Sequence, residues 1–437
     1  MSGRAFLSPI INPLVVNAVR WLLPFMMRNQ FGGLKVRISD ADLAKLRQYR
    51  GRRMLLLPNH PTGEEPLILF EVAKRLNEVF HFVAAREVFD WEHGFRGWVL
   101  RRVGAYSVIR GAADRDSFMM SRKILMEGLH RLVIFIEGEI SRGNETLIPF
   151  EPGVIQLAFW AQECLAKEAA KLAKLSPHLA EATYPPVYVA PIAIKYFYAP
   201  GYDPAMAQAL IDLEKSVGLH PDPADDRYVR IRAVGEAVLK VQEDLHQVAA
   251  LPQATFTERV DAIRNRMLQK MELFLGLKLD LEAPALNRLR EIRNTMDHMI
   301  HSYDDPADLS DYEKRMVEHL RLTLSEFYKD LDRVVYFLTY DETYLRENRS
   351  PERFIEMIRR LEREIYGEAR LNHPRIAMVQ LGKVLNLQTH FQAYEADKKG
   401  FVRQIAANLE EDMRQLILNM PNPFHLHPDS SSEPCQQ

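Results

Sequence analysis

Residues 54–66, MLLLPNHPTGEEP, decide how the rest of the chain is interpreted. Four apolar residues run into a proline, which predicts a buried strand of a sheet covered on both faces. An Asn-His pair ends at His60, and two adjacent glutamates, Glu64 and Glu65, follow four and five residues later. A histidine backed by a carboxylate can take a proton from a hydroxyl, because the carboxylate fixes the ring tautomer. The structural alternative is a histidine that caps the following helix.

Strand and helix signals alternate on both sides of this stretch. The predicted strands are LKVRIS (34–39), MLLLPN (54–59), HFVAA (81–85), YSVIR (106–110), LVIFIEGE (132–139) and VYVAPIAIKY (187–196). Segments of helical period separate them, so we expect an α/β fold with a mainly parallel sheet flanked by helices. In such sheets the chemistry gathers where strands end and helices begin. His60, Arg110 and Glu137 are all at predicted strand ends.

The remaining segments predict three further parts. From about residue 204 to 421 the apolar residues repeat at helical spacing, which predicts an all-helical C-terminal domain after an α/β domain of residues 35–203. Residues 422–437 are rich in Ser, Pro and His and are predicted to be disordered. Residues 1–34 are strongly apolar and carry Trp21 and Phe25, but three prolines interrupt them.

Residues 1–34 are too broken for a confident membrane span and lack the marks of a signal peptide. We expect an amphipathic segment in the membrane interface, on the cytoplasmic face, peripheral or monotopic. The alternative is that it packs on the protein's own core. In the first 115 residues Lys and Arg exceed Asp and Glu by about eight. That excess fits a surface facing anionic lipid or an anionic substrate, or simply a solvated face.

Composition excludes several classes of function. The net charge is −2, so no overall positive field points to nucleic acid. The chain has two distant cysteines, which argues against a disulfide framework and fits a reducing compartment. No metal-binding motif and no cofactor signature appears, and the G-x-S-x-G nucleophile motif is absent. The pattern therefore favours direct attack by a substrate hydroxyl over an acyl-enzyme intermediate.

Four segments in order, NHPTGEE, GAYSVIRG, FIEGEISR and VAPIAI, resemble the motifs of the glycerolipid acyltransferase family, whose bacterial members include lysophosphatidate acyltransferases. The resemblance covers roughly residues 35–200. It implies His60 as the general base and Glu65 as its acidic partner. Residues in or next to the four motifs are expected to bind substrate: Asn59, Thr62, Gly104, Arg110, Glu137, Gly138, Arg142 and Pro191.

The sequence departs from the family's pattern at two motifs. Glu65 stands where an Asp is usual, so either it needs a small backbone adjustment or Glu64 takes its place. The third motif lacks its Pro, Thr and Arg, and Arg142 lies two places beyond the expected arginine. Arg142 therefore cannot simply inherit that arginine's contact with the acceptor's phosphate. The large helical extension is a further difference from the minimal enzymes.

The expected reaction is transfer of a fatty acyl group from acyl-CoA or acyl-carrier protein to a hydroxyl of a lyso-glycerolipid or related lipid. We expect backbone donors near NHPTG or EGE to stabilise the tetrahedral oxyanion. The alternative is a non-enzymatic protein that binds lipid or a partner through an acyltransferase-like domain.

Overall fold

The computed structural model describes residues 6–109, 114–175, 184–222, 224–249, 253–302, 309–338 and 343–424. Arg110 and the predicted disordered tail from residue 425 onward lie outside the described residues.

Eight strands of the described chain form one sheet. They are β1 Lys35–Ile38, β2 Arg53–Pro58, β3 Phe80–Ala85, β4 Ala105–Val108, β5 Arg131–Val133, β6 Val187–Tyr198, β7 Arg375–Leu381 and β8 Leu385–Asn386. The order is β1-β7-β6-β2-β5-β3-β4, with β8 also beside β6. Neighbouring strands run parallel, except that β7 and β8 are antiparallel to β6.

Helices cover both faces of the sheet, and seven further helices, α7 to α13, follow β6 and precede β7 in the chain. They are α1 Pro13–Asn29, α2 Asp40–Gln48, α3 Glu65–Leu76, α4 Phe95–Arg102, α5 Arg115–Glu127, α6 Pro152–Leu175, α7 Asp203–Ser216, α8 Arg227–His246, α9 Phe256–Leu275, α10 Ala285–Ser302, α11 Asp311–Leu338, α12 Thr343–Glu347, α13 Pro351–Tyr366, α14 Phe391–Ala396 and α15 Lys398–Leu418. Two short 3₁₀ helices, Arg86–Phe89 and Trp91–Gly94, precede α4.

Two apolar clusters fill the space between sheet and helices. One joins α1, α2 and α3 to one face, and the other joins α5, α6, α14 and α15 to the opposite face. A third cluster is the core of α9, α10 and α11, and it includes Ile148 from the segment after β5. We call α7 to α13, residues 203–366, the helical insertion. The third cluster joins this insertion directly to the sheet's loops.

The fold class is confirmed, since a mainly parallel sheet flanked by helices precedes a helix-rich region. The prediction that residues 204–421 are all helical is wrong in one respect. β7 and β8 come from that region and complete the sheet, and α15 covers its face. The segment RIAMVQL of β7 is short and nearly continuous in apolar residues, so it carries no alternating pattern that would separate it from a helix turn.

The strand predicted over residues 132–139 ends much earlier than expected. β5 spans three residues, and a turn follows in which Gly138 adopts a left-handed φ of 73°. That conformation suits glycine, which lacks the Cβ that penalises positive φ. The early turn carries Glu137 beneath the end of β2 instead of along the sheet.

The N-terminal helix α1 is amphipathic. Val16, Leu23 and Met27 are buried in the core. Trp21 and Phe25 lie on the other side, 80% and 64% exposed. Among the described helices, none has the length and hydropathy that crossing a membrane requires.

Candidate active site

The His60–Glu65 pair lies at the carboxyl end of β2. β2 ends at Pro58, and α3 begins at Glu65, so the intervening turn brings the histidine and its carboxylate together. His60 Nδ1 lies 2.6 Å from Glu65 Oε2. The His60 side chain is 15% exposed and stacks on Phe135 with ring centroids 4.1 Å apart. This arrangement leaves Nε2 as the ring nitrogen available to a substrate.

Glu65 accepts four further hydrogen bonds in a fully buried position. Its Oε2 accepts from the Gly63 N–H at 2.8 Å. Its Oε1 accepts from the Thr62 N–H at 3.1 Å, the Thr62 hydroxyl at 2.6 Å and the Tyr196 hydroxyl at 2.5 Å. Burial alone raises the pKa of Glu65, but the bond to His60 and the other donors lower it to about 2. Glu65 is therefore an ionised partner that can stabilise an imidazolium.

Glu64 points to a different partner. Both of its carboxylate oxygens lie within 2.6 Å of Nη2 of Arg375, at the start of β7. Burial raises the pKa of Glu64 while Arg375 opposes that rise. The structure thus places the fifth residue after the histidine, not the fourth, on the imidazole.

Glu137 holds the backbone of His60. Its Oε1 accepts from the His60 backbone N–H at 2.6 Å, and its Oε2 accepts from the Ile148 N–H at 2.8 Å. Burial raises the pKa of Glu137 to about 8, against the lowering effect of those two N–H groups. Burial thus disfavours a negative charge on Glu137, whereas the donors around Glu65 favour its negative charge beside the imidazole.

His60 opens into a cavity of about 1200 Å³ at the carboxyl ends of β3, β4 and β5. Small-molecule pockets usually measure about 300–1,000 Å³, so this space can hold two substrates side by side. One part of it is apolar and is lined by Val83, Ala85, Val108, Phe118, Leu157 and Trp160.

The other part of the cavity is charged and takes residues from the helical insertion. Arg293 of α10 places Nη1 2.5 Å from Glu139 Oε2. Asp332 of α11 lies 3.7 Å from Arg293 Nη2 and 3.8 Å from Arg142 Nη2. The Nε of Arg293 is buried and has no hydrogen-bond partner in the described chain. A buried unpaired donor costs roughly 1–3 kcal/mol, so an oxygen of a bound ligand would satisfy it.

The structure also locates the other residues predicted to bind substrate. Gly138 and Arg142 line the cavity. Arg142 has a left-handed φ of 61°, and its carbonyl accepts from Arg360 of α13 at 3.0 Å. Thr62 bonds to Glu65, so it holds that carboxylate in place. Arg110 cannot be placed, since it lies outside the described residues.

Asn59, Gly104 and Pro191 do not line the cavity. The Asn59 side chain bonds the backbone N–H and C=O of Ile194, at 2.7 and 2.9 Å, and so continues the β2–β6 pairing past the strand end. Gly104 precedes β4, at the opposite end from the site, where a Cβ would lie 2.7 Å from the Phe80 carbonyl oxygen. Pro191 is buried within β6 opposite Leu57. These positions have structural explanations in the described chain.

The expected oxyanion donors in NHPTG are already occupied. The N–H groups of Thr62 and Gly63 bond to Glu65, and that of His60 bonds to Glu137. On the EGE side, the Gly138 N–H donates to the Phe135 carbonyl at 3.1 Å. A metal centre has no support in the described residues, which contain no group of three potential His, Cys, Asp or Glu ligands.

Part of the chain is similar to a known protein family. Residues 37–195 match the family described as Acyltransferase. That part of the chain is an acyltransferase-family domain. The resemblance drawn from the four motifs is confirmed, and the matched region carries both His60 and Glu65. No curated protein matches the chain with significant similarity.

Three residues that the motifs do not contain also contact this site. Tyr196 lies just after the matched region, Arg293 is in the helical insertion and Arg375 is on β7. An arginine or tyrosine in a helix or strand carries no local signal of its role. Only the fold brings Arg293 to the cavity, the Tyr196 hydroxyl to Glu65 and the Arg375 guanidinium to Glu64.

Proposed function

We propose that this protein transfers a fatty acyl group from a thioester, acyl-CoA or acyl-carrier protein, to a hydroxyl of a lyso-glycerolipid or related lipid. The observation that carries the proposal is the His60–Glu65 pair at the edge of a two-part cavity, within an acyltransferase-family domain. No cofactor enters the reaction.

The steps follow from the free Nε2 of His60. Nε2 takes the proton of the acceptor hydroxyl while Glu65, held ionised, stabilises the imidazolium. The acceptor oxygen attacks the thioester carbonyl and forms a tetrahedral intermediate. The C–S bond then breaks, the thiolate takes the proton from His60, and an ester and a free thiol result.

The two parts of the cavity fit the two ends of a lipid. Phe118, Leu157 and Trp160 offer apolar contact to an acyl chain, whose burial is favourable by about 0.8 kcal/mol per methylene. Arg142 and Arg293 offer donors to an oxygen-rich head group. Their partial neutralisation by Glu139 and Asp332 means that a ligand anion would compete with carboxylates for them.

An exposed apolar surface supports attachment to a bilayer at this site. We define the docking surface as Leu14, Trp21 and Phe25 of α1 with Phe95 and Trp98 of α4, all exposed. Neither helix contains an acidic residue, and Arg102 lies 4.0 Å over the Trp98 ring. Aromatic side chains among arginines suit the interface of an anionic membrane. Arg96 of α4 lines the cavity, so this surface adjoins the substrate space.

A thioester-consumption assay on the purified full chain tests the function. Free thiol and acylated lipid are measured together against a panel of lyso-lipid acceptors, with acyl-CoA and acyl-carrier protein compared as donors. His60→Ala is expected to lower turnover by about a hundred- to ten-thousand-fold while the fold remains intact. His298→Ala, a histidine outside this cavity's lining, is the matched control.

The outcomes separate enzyme from binding protein. Acceptor-dependent thiol release that disappears in His60→Ala supports transfer. Lipid binding without any transfer across the panel favours the non-enzymatic alternative. Turnover near the wild-type rate in a folded His60→Ala protein would remove His60 as the general base.

A further inference from the structure

Two adjacent glutamates could compete for one histidine, and the structure contains a device that separates them. Glu64 and Glu65 are consecutive at the start of α3. His60 is already bonded to Glu65 at 2.6 Å. A second carboxylate beside this one would either repel Glu65 or exchange with it, because like charges that share a site disfavour each other.

Arg375 holds Glu64 through a buried contact. Its Nη2 lies 2.5 and 2.6 Å from the two Glu64 oxygens, and its side chain is almost fully buried. An arginine keeps its positive charge at any relevant pH, so Glu64 always has a positive charge beside it.

Arg375 also packs on the residue that holds Glu65. Its guanidinium carbon lies 5.3 Å from the ring centroid of Tyr196, within the range of a cation–π contact. The Tyr196 hydroxyl donates to Glu65 Oε1 at 2.5 Å, and both residues are fully buried. The Arg375 guanidinium thus contacts both Glu64 and Tyr196, the tyrosine that donates to Glu65.

We propose that Arg375 is a positioning residue that withdraws Glu64 from His60 and so reserves the imidazole for Glu65. This inference rests on the proposed acyl transfer for its kinetic test. It makes β7, about 180 residues beyond the acyltransferase-family match, part of the catalytic unit.

The decisive kinetic test is rescue by a second substitution. Arg375→Met leaves Glu64 without its partner and is expected to lower kcat about ten- to a hundredfold, with KM for both substrates within about twofold. Arg375→Lys keeps the charge and should retain most of kcat. The double variant Arg375→Met with Glu64→Gln removes both charges and should return kcat to within about threefold of wild type.

A purely structural role for Arg375 predicts the opposite pattern, because the double variant would then be no better than Arg375→Met. That result, or wild-type kcat in Arg375→Met, overturns the inference. Arg349→Met is the matched control, since Arg349 forms a half-exposed pair with Asp226 at 3.0 Å far along the chain from the site. Thermal unfolding of each variant identifies any that fail to fold.

A spectroscopic arm separates this inference from the proposed function. The Nδ1–H proton of His60, in its short bond to Glu65, should give a downfield NMR resonance that His60→Gln removes. Arg375→Met should weaken or abolish the resonance, and the double variant should restore it. An unchanged resonance in Arg375→Met overturns the positioning role even if no acyl acceptor is ever found. If the double variant restores the resonance but the wild-type protein shows no turnover, only the proposed acyl transfer is overturned.

Discussion

Replacing Glu65 by Gln tests the central pair most sharply, because it keeps the shape and removes the charge. The pKa of Glu65 falls from the usual 4.5 to about 2. Each tenfold change in an equilibrium is worth about 1.4 kcal/mol, so the surroundings favour the charged carboxylate by about 3 kcal/mol. His60 makes the largest of the contributions that lower this pKa, so losing the carboxylate charge when the imidazolium forms would slow transfer by up to roughly a hundredfold.

The hydrogen bonds give a second reason for the loss. Five donors converge on the two Glu65 oxygens, and an amide replaces one oxygen with a donor group. If the NH₂ takes the Oε2 position, it faces the Gly63 N–H and forces His60 Nδ1 to accept, which is the wrong tautomer. If it takes the Oε1 position, it faces the Thr62 N–H. Either choice leaves a buried backbone donor unpaired, at roughly 1–3 kcal/mol.

Single-turnover rates at saturating thioester would measure the effect. Glu64→Gln is the matched control, because its amide oxygen can still accept from Arg375, and we expect its rate to stay within about threefold of wild type. Glu65→Asp keeps the charge but withdraws the carboxylate by about one C–C bond, roughly 1.5 Å. Its rate should be well above that of Glu65→Gln. A dead Glu64→Gln beside an active Glu65→Gln would refute the assignment of the acid.

Three other predictions concern the membrane, the acceptor and pH. Trp21→Ser or Phe25→Ser should weaken sedimentation with anionic liposomes by about tenfold or more, whereas exposed Leu322→Ser should not, and added salt should weaken the binding of the wild-type protein. Equal loss in all three would contradict the docking surface. Arg293→Gln should raise KM for an anionic acceptor by about tenfold with little change in kcat, and an unchanged KM would exclude a head-group contact. Because the folded pKa of Glu65 is depressed, its stabilising contribution is present above about pH 4.5 and disappears as pH falls toward 2. The difference in unfolding free energy between wild type and Glu65→Gln should therefore narrow across that window in denaturant titrations.

The structure also changes how the membrane prediction should be tested. Deleting residues 1–30 would remove Val16, Leu23 and Met27 from the core, along with the bond from the Leu7 N–H to Ser107. A truncated chain would lose stability as well as any lipid contact. Substitutions on the exposed side of α1 leave that core intact and separate the two effects.

Local sequence was enough to predict the α/β part. Buried parallel strands such as MLLLPN are short apolar runs, and helices such as α3 and α6 keep their period, so their order predicts the sheet. His60 and Glu65 were found because both are in one turn between such elements. The strand over 132–139 was predicted too long, because hydrophobicity continues into Phe135 and Ile136 after the chain has turned.

Contacts between residues far apart in the sequence could not be predicted. Arg375 reaches Glu64 across 311 residues, and Arg293 reaches Glu139 across 154. Nothing in the periodicity of α10 or β7 indicates which charged residue points into a site. Charged side chains at helical spacing are usually solvent-exposed, so the sequence carries no sign that Arg293 is buried.

Sheet topology explains why these distant residues arrive at the active site. β6 runs parallel to β2, so its last residue, Tyr198, lies at the edge where His60 follows β2. The helical insertion leaves the sheet at that edge and is therefore placed over the cavity. β7 is antiparallel to β6 and pairs Arg375 with Tyr198, so it begins where the parallel strands end. A parallel strand can offer only its last residues to the active site, whereas this antiparallel strand offers its first. The helical insertion thus accounts for the charged side of the cavity, and the antiparallel direction of β7 accounts for the position of Arg375 beside Glu64.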